Sequence, residues 1–302
     1  MSLRDSVEQL APEWRASYGP RLTFGSIDTQ PINLAVSGGA DSIAMLLLAS
    51  AMGREVVVWH VDHQLRTTSA DDAAYVMDVA KSLGVACNVV VIDLEEGPNL
   101  EARARALRRA VLPTDVAYGH TTDDQLETYL INLMRGSGLD GWVALSPGAQ
   151  HPILGLRRTE THLVCEQAGV TPIVDSMNDD ARFVRVRVRN EIVPLLDDIA
   201  SRDVAAVFGR QAPLIADDVL YLNDAASQLD PTDTRAMQKT PRALVRRALR
   251  RWLISSDGYA PDADAIERVM AVVDHDIKAT EVAGVGRVTR RDGQLSIEPI
   301  DR

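Results

Sequence analysis

Ile32-Asn33-Leu34-Ala35-Val36-Ser37-Gly38-Gly39-Ala40-Asp41-Ser42 is the stretch that decides the fold. A short apolar run stops at two adjacent glycines, and a helical apolar segment starts at once at Ile43. The order reads as strand, tight turn, helix start. Paired glycines permit backbone angles and close approaches that a Cβ would block. The unpaired amides and the positive end of the helix dipole then form an anion site, with phosphate the natural candidate. The loop is neither GxxxxGK[ST] nor GxGxxG. Plain strand-to-helix punctuation explains the same residues, so the turn does not settle function by itself.

Outward from this loop, residues 31–135 alternate between two textures. Ile32–Val36, Glu55–Val61, Ala86–Ile92 and Asp115–Gly119 read as buried strands. Asp41–Met52, Ser69–Gly84 and Asn99–Leu112 read as helices, with Ser69 and Asp72 as a cap pair. Such alternation implies an α/β fold with a doubly wound parallel sheet. Polar clusters follow three of the strands: Ser37 to Ser42, Asp62 to Arg66, and Gly119 to Asp124. In an open α/β sheet ligands bind beyond the carboxyl ends of the strands, so three loops converge on one crevice. Residues 136–182 are loop-rich, and helices are expected near Arg157–Ala168 and Val184–Ala200, the latter kinked or ended by Pro194. Beyond Ser201 come long helical patterns and a short β tail with a turn at Asp292-Gly293. The expected division is a catalytic domain over residues 1–210 and a smaller, mainly helical domain over 211–302.

Composition narrows the class. With 302 residues, 46% of them hydrophobic and 25% charged, the chain has an ordinary globular balance. It has no apolar run of about eighteen residues and no signal-peptide core, which gives a cytoplasmic reading with no membrane partner. Cys87 and Cys165 are far apart and match no metal spacing. A net charge of −11 argues against nucleic acid as a partner, because phosphate binding needs cations, although local patches remain compatible with specific RNA binding. Arginines nevertheless cluster at 103–109, 182–189 and 242–251, while Lys81, Lys239 and Lys278 are the only lysines. Arginine forks suit phosphate and planar recognition.

Asp41 either caps the first helix or, beside a phosphate site, holds a magnesium ion. Asp123, Asp124 and Glu127 open the helix after the fourth strand, where acids also answer the dipole. Asp124 faces Asp41 across the expected crevice as the second oxygen donor for Mg²⁺. His60, Asp62, His63 and His120 define a competing reading, a metal-dependent phosphohydrolase. Arg242, Arg246 and Arg250 form one helical stripe whose sequence neighbours carry no acids, either a solvated face or an RNA footprint.

The Ser-Gly-Gly-x-Asp-Ser pattern resembles the loop of the N-type ATP pyrophosphatases, the PP-loop family with an adenine nucleotide α-hydrolase-like fold. Later segments narrow the resemblance to the tRNA(Ile)-lysidine synthases. These are Val61-Asp62-His63-Gln64-Leu65-Arg66, Asn99-Leu100-Glu101-Ala102-Arg103-Ala104-Arg105, and Gly119-His120-x-x-Asp123-Asp124-Gln125-x-Glu127-Thr128 with Arg135-Gly136-Ser137-Gly138. Pro152-Ile153-Leu154, Asp175-x-x-Asn178 and Arg185-x-Arg187-x-Arg189 continue it in order. Departures are His151 where arginine is usual, Arg109 for tyrosine and Val186 for asparagine. The likeness is strong over residues 30–200 and loose beyond.

The resemblance implies ATP as co-substrate with Mg²⁺, and as partners L-lysine and the isoleucine tRNA with a CAU anticodon, in a monomer or homodimer. ATP adenylates the oxygen on C2 of the wobble cytidine, releasing pyrophosphate, and the lysine amine then attacks C2 and displaces AMP. Ser37, Gly38, Gly39, Ala40, Asp41, Ser42, His63 and Arg105 are expected at ATP, and Asp41 with Asp124 at magnesium. His120 or Glu127 is expected to assist proton removal from lysine. Arg66, Arg108, Arg135, Arg185, Arg187 and Arg189 are expected at phosphates or tRNA. A tRNA thiolase and a catalytically silent RNA-binding module are the remaining alternatives. The former needs reactive cysteines that Cys87 and Cys165 are poorly placed to supply.

Overall fold

The computed structural model describes residues 1–25, 31–64, 69–92, 100–143, 145–174, 182–255, 258 and 260–299, apart from the side chains of 100–102 and 104–106. Its elements divide into two compact units, Met1–Ile215 and Ala216–Arg302.

The first unit opens with a helix the sequence reading did not anticipate, α1 (Leu3–Ser17). Ser2 and Asp5 form a reciprocal capping box at its start. Val7, Ala11 and Trp14 recur at helical spacing along its buried face. Next come β1 (Ile32–Ala35), α2 (Ala40–Ala51), β2 (Val56–Asp62), α3 (Ser69–Leu83), β3 (Ala86–Val91), α4 (Leu100–Val111) and β4 (Ala117–Tyr118). They are followed by α5 (Thr122–Met134), the short α6 (Leu139–Trp142) and α7 (Arg158–Gln167).

The sheet order is β3-β2-β1-β4, and every neighbouring pair is parallel. The chain therefore lays strands outward on one side of β1, then returns to place β4 on its other side. That reversal is the topological switch point, where ligands bind in open α/β sheets. The core is built around α2, whose residues Ile43 to Ala49 are wholly buried beneath α1 and α7. A helix buried on all sides reads as apolar throughout, and α2 does. β3 differs from its expected buried state. It lies at the sheet edge, and Ala86, Asn88 and Val91 are exposed.

The segment expected as one helix over Val184–Ala200 is three pieces. A short α8 (Val184–Arg187) leads into a π turn (Val188–Ile192), and α9 (Val193–Ala200) follows with Pro194 in its first turn. Proline has no amide hydrogen and clashes with the carbonyl four residues back. A wider turn ahead of it, with the Val193 amide bonded to the Val188 carbonyl, avoids that clash. The division between units falls inside α10 (Val204–Ser227).

The second unit holds α11 (Thr234–Met237), α12 (Arg242–Trp252), α13 (Ala263–Val273) and an antiparallel sheet of β5 (Ala279–Val282), β6 (Gly286–Arg291) and β7 (Gln294–Glu298). Its core gathers Met237, Leu249, Val269 and Val288. Asp292 and Gly293, at φ 52° and 86°, make the tight turn between β6 and β7. Among the described residues no helix is long and apolar enough to cross a membrane.

Candidate active site at the switch point

The loop after β1 turns on Gly38, whose φ of +94° favours glycine. A Cβ there would stand 2.4 Å from Ile173 Cδ1, and the Ile173 amide donates to the Gly38 carbonyl at 3.0 Å. Gly39 is the N-cap of α2, so the first-turn amides of Ala40 and Asp41 lack intrahelical acceptors. Ser42 does not face outward. Its hydroxyl accepts from the Ser37 amide at 3.1 Å and donates to the Gly39 carbonyl at 2.9 Å, bracing the turn. The loop after β4 reaches the same place. A Cβ on Gly119 would meet the Asp41 carbonyl oxygen at 2.9 Å and Ser42 Cα at 3.0 Å. Glycine at that position is what lets the two loops touch.

Asp41 and Asp124 converge on one guanidinium. Arg158, at the start of α7, sets Nε 3.6 Å from Asp41 Oδ2, Nη2 3.0 Å from Asp124 Oδ1 and Nη1 3.0 Å from Glu127 Oε1. The other oxygen of each aspartate is already engaged. Asp124 Oδ2 accepts from the Thr121 amide at 2.8 Å and its hydroxyl at 3.0 Å. Asp41 Oδ1 lies 2.5 Å from Thr161 Oγ1, which is also 2.8 Å from the Arg158 carbonyl. The threonine has one proton for two acceptors. Thr161 donates to the Asp41 carboxylate, a contact that by itself favours the ionised form. Burial, with the nearby charge of Asp124 adding to it, outweighs Thr161 and Arg158 and pushes the Asp41 carboxyl up to about 6. Burial also pushes Asp124 upward, but Arg185, Arg158 and the Thr121 amide outweigh it and hold that carboxyl below the usual range.

Glu127 is 2% exposed and lies under three guanidiniums. Arg158 Nη1 and Arg189 Nε reach Oε1 at 3.0 and 2.8 Å, and Arg185 Nε and Arg189 Nη2 reach Oε2 at 2.8 and 3.2 Å. The Arg-x-Arg-x-Arg run therefore does not act as one patch. Arg185 and Arg189 turn inward to Glu127, and Arg185 also reaches Asp124 at 2.9 Å. Arg187 faces solvent and pairs with Glu191 at 2.8 Å. Arg108 and Arg135 are exposed. Arg66 and the Arg105 side chain lie outside the described residues.

The sequence reading missed Arg157, Arg158 and Thr161. Asp123, at the start of α5, accepts from Arg157 Nε at 3.0 Å, from its Nη2 at 2.9 Å and from the Arg158 amide at 2.8 Å. A readable sign existed. Two arginines at a helix N-terminus oppose the dipole unless acids pair with them.

The histidines divide. His120 Nδ1 lies 3.1 Å from His151 Nδ1, joining the loop after β4 to the residue that departs from the expected arginine. His60 Nδ1 is 2.8 Å from the Val36 carbonyl, and Asp62 accepts from the Gln64 amide at 2.8 Å, so each side chain has a backbone partner of its own. The half-buried His63 has a buried Nδ1 without a hydrogen-bond partner among the described residues, and burial together with Arg108 lowers its proton affinity. Among the described residues no group of three His, Cys, Asp or Glu side chains is placed to hold a metal.

The arginine stripe of α12 also differs from expectation. Its compensating acids come from α13 and its end, where Arg246 reaches Glu267 at 2.5 Å and Arg242 reaches Asp274 at 2.6 Å.

A PP-loop domain model matches residues 16–196. A protein named tRNA(Ile)-lysidine synthase from Rhodococcus erythropolis is 34% identical over 284 residues, spanning 89% of this chain and 85% of that relative. One of the same name from Nocardia farcinica is 36% identical over 80% of this chain and 81% of its own. Among solved structures, a U34-tRNA thiolase, NcsA, from Methanococcus maripaludis shares the fold at a TM-score of 0.52 and 17% identity, covering 70% of this chain and 79% of that one.

Proposed function

The chain belongs to the tRNA(Ile)-lysidine synthases, ATP-using ligases of the PP-loop family, and from the site's geometry we propose that it joins the amine of L-lysine to C2 of the wobble cytidine in tRNA(Ile) with a CAU anticodon. The observation that carries this reading is the meeting of Asp41 and Asp124, from two separate strand ends, beside the glycine loop. A cytidine oxygen is a poor leaving group. Its attack on the α-phosphate of ATP releases pyrophosphate and makes AMP the leaving group, which the lysine amine then displaces from C2.

The amides around Gly38 to Asp41 receive the phosphates, held in shape by Ser37 and Ser42. The pair Asp41 and Asp124 suits Mg²⁺. Both offer hard oxygens, and a cation would offset their mutual repulsion. Bound there, the ion would neutralise charge on the departing pyrophosphate. Holding three substrates in register contributes much of the rate. Glu127, saturated by arginines, is an anchor for Arg185 and Arg189 and a poor proton acceptor. Proton removal from the lysine ammonium falls to His120, whose ring is held by His151. The second unit is assigned to tRNA binding.

Isotope-labelled lysine supplied with ATP and this tRNA tests the reading. Label should enter the tRNA only when ATP is present, and Asp124→Asn should abolish it. Labelled lysine that stays free in the wild type, or phosphate release from simple esters without tRNA, would overturn it.

A further inference from the structure

Arg158 stands between the two aspartates that would hold the cation. Asp41 Oδ1 is taken by Thr161 and Asp124 Oδ2 by Thr121, which leaves Asp41 Oδ2 and Asp124 Oδ1 as the outward oxygens. Both point at Arg158, at 3.6 and 3.0 Å. The grip is unequal. Toward Asp124 and Glu127 the guanidinium makes hydrogen bonds of 3.0 Å each, whereas 3.6 Å to Asp41 is only an electrostatic contact. Asp124 and Glu127 also hold Arg185, and Glu127 holds Arg189. Asp41 has no other ion pair among the described residues. His162 and Cys165 on α7, together with Asp124, are the other charged or titratable groups that act on it.

We propose that Arg158 is the resident counter-cation of the Asp41–Asp124 pair and exchanges with the divalent cation that arrives with ATP. The guanidinium releases Asp41 first, through its long contact, and stays anchored on Glu127. This inference rests on the metal reading given above. It makes Arg158 a positioning residue. It keeps the carboxylates facing one point before the cation arrives, and it lowers their affinity for that cation because its own charge must be displaced.

The sign of the effect separates this role from a structural one. Removing a side chain that merely supports the site loosens metal binding, whereas removing a competing cation tightens it. The probe is Mn²⁺, its affinity for the full chain measured by electron paramagnetic resonance with a non-hydrolysable ATP analogue present. Arg158→Gln should bind Mn²⁺ more tightly by about tenfold, the order expected when one unit of opposing charge leaves a carboxylate site. Arg158→Lys, which keeps the charge, should stay near wild type, and its thermal midpoint reports whether the fold persists. Unchanged or weaker Mn²⁺ binding in a folded Arg158→Gln variant overturns the inference. Asp41→Asn distinguishes the two layers. If it leaves Mn²⁺ affinity unaltered, the metal reading itself fails. If it weakens Mn²⁺ binding while Arg158→Gln does not tighten it, only the exchange role fails.

Discussion

At the scale of single residues, Asp41 is the point of greatest tension. Its folded value, about 6, stands above the ordinary 3.8, so the folded state holds the proton more tightly than the unfolded chain does. Stability attached to this group is full below pH 4, falls between about pH 4 and 6, and stays reduced above that window. Asp41→Asn, which cannot ionise, should therefore raise the unfolding free energy at pH 7.5 by about 1–3 kcal/mol while leaving it near wild type at pH 4. Denaturant titration at the two pH values checks this, and a variant less stable at pH 7.5 contradicts it. Glu127 is instead held by ion pairs on both of its oxygens. Glu127→Ala leaves three guanidiniums short of their partner and should cost about 3–5 kcal/mol. Glu127→Gln should lower the thermal midpoint yet keep the shape of the pH–rate profile. If that variant is as stable as wild type but loses a limb of the profile, Glu127 is the proton acceptor after all.

At the scale of elements, two glycines set how closely the loops approach. Gly119→Ala forces a Cβ to about 3 Å from the Asp41 backbone, a contact real side chains do not make. The loops must separate, and ATP affinity measured by calorimetry should fall at least tenfold, whereas Gly138→Ala, with open space around it and a φ of −68°, should not change it. The parallel sheet and its helices were readable because apolar runs, glycine turns and capping residues agree with one another there. The sequence reading missed three features. α1 carries its signal in the Ser2–Asp5 capping box and the stripe of Val7, Ala11 and Trp14, with Pro12 interrupting the pattern. The π turn before Pro194 has no sequence signature beyond the proline itself. The exposed face of β3 follows from its place at the sheet edge, which strand order decides and local sequence does not.

At the scale of the molecule, the reversal of strand order after β1 gathers the chemistry. Asp41 and Asp124 are 83 positions apart in sequence and meet because their strands are neighbours. The convergence of three polar loops beyond the strands could reveal that pair from sequence. It could not find Arg158, since an arginine on a helix supplies no period or motif to say which acids it will meet. The same blindness affected α12, whose stripe is answered by Glu267 and Asp274 from further along the chain. Exposed pairs of this kind contribute little, so Arg246→Ala should change stability by less than about 1 kcal/mol. It should also leave the slope of log tRNA affinity against log salt unaltered, whereas a drop of about one unit would reveal a phosphate contact.

The central claim is that Asp41 and Asp124 act as one unit on one bound nucleotide. A double-mutant cycle on tRNA-dependent pyrophosphate release tests it most directly. Asp41→Asn and Asp124→Asn should each abolish nearly all release, with the double variant no slower than the worse single one. Losses that multiply in the double variant would mean that the two carboxylates work independently, and would contradict the account.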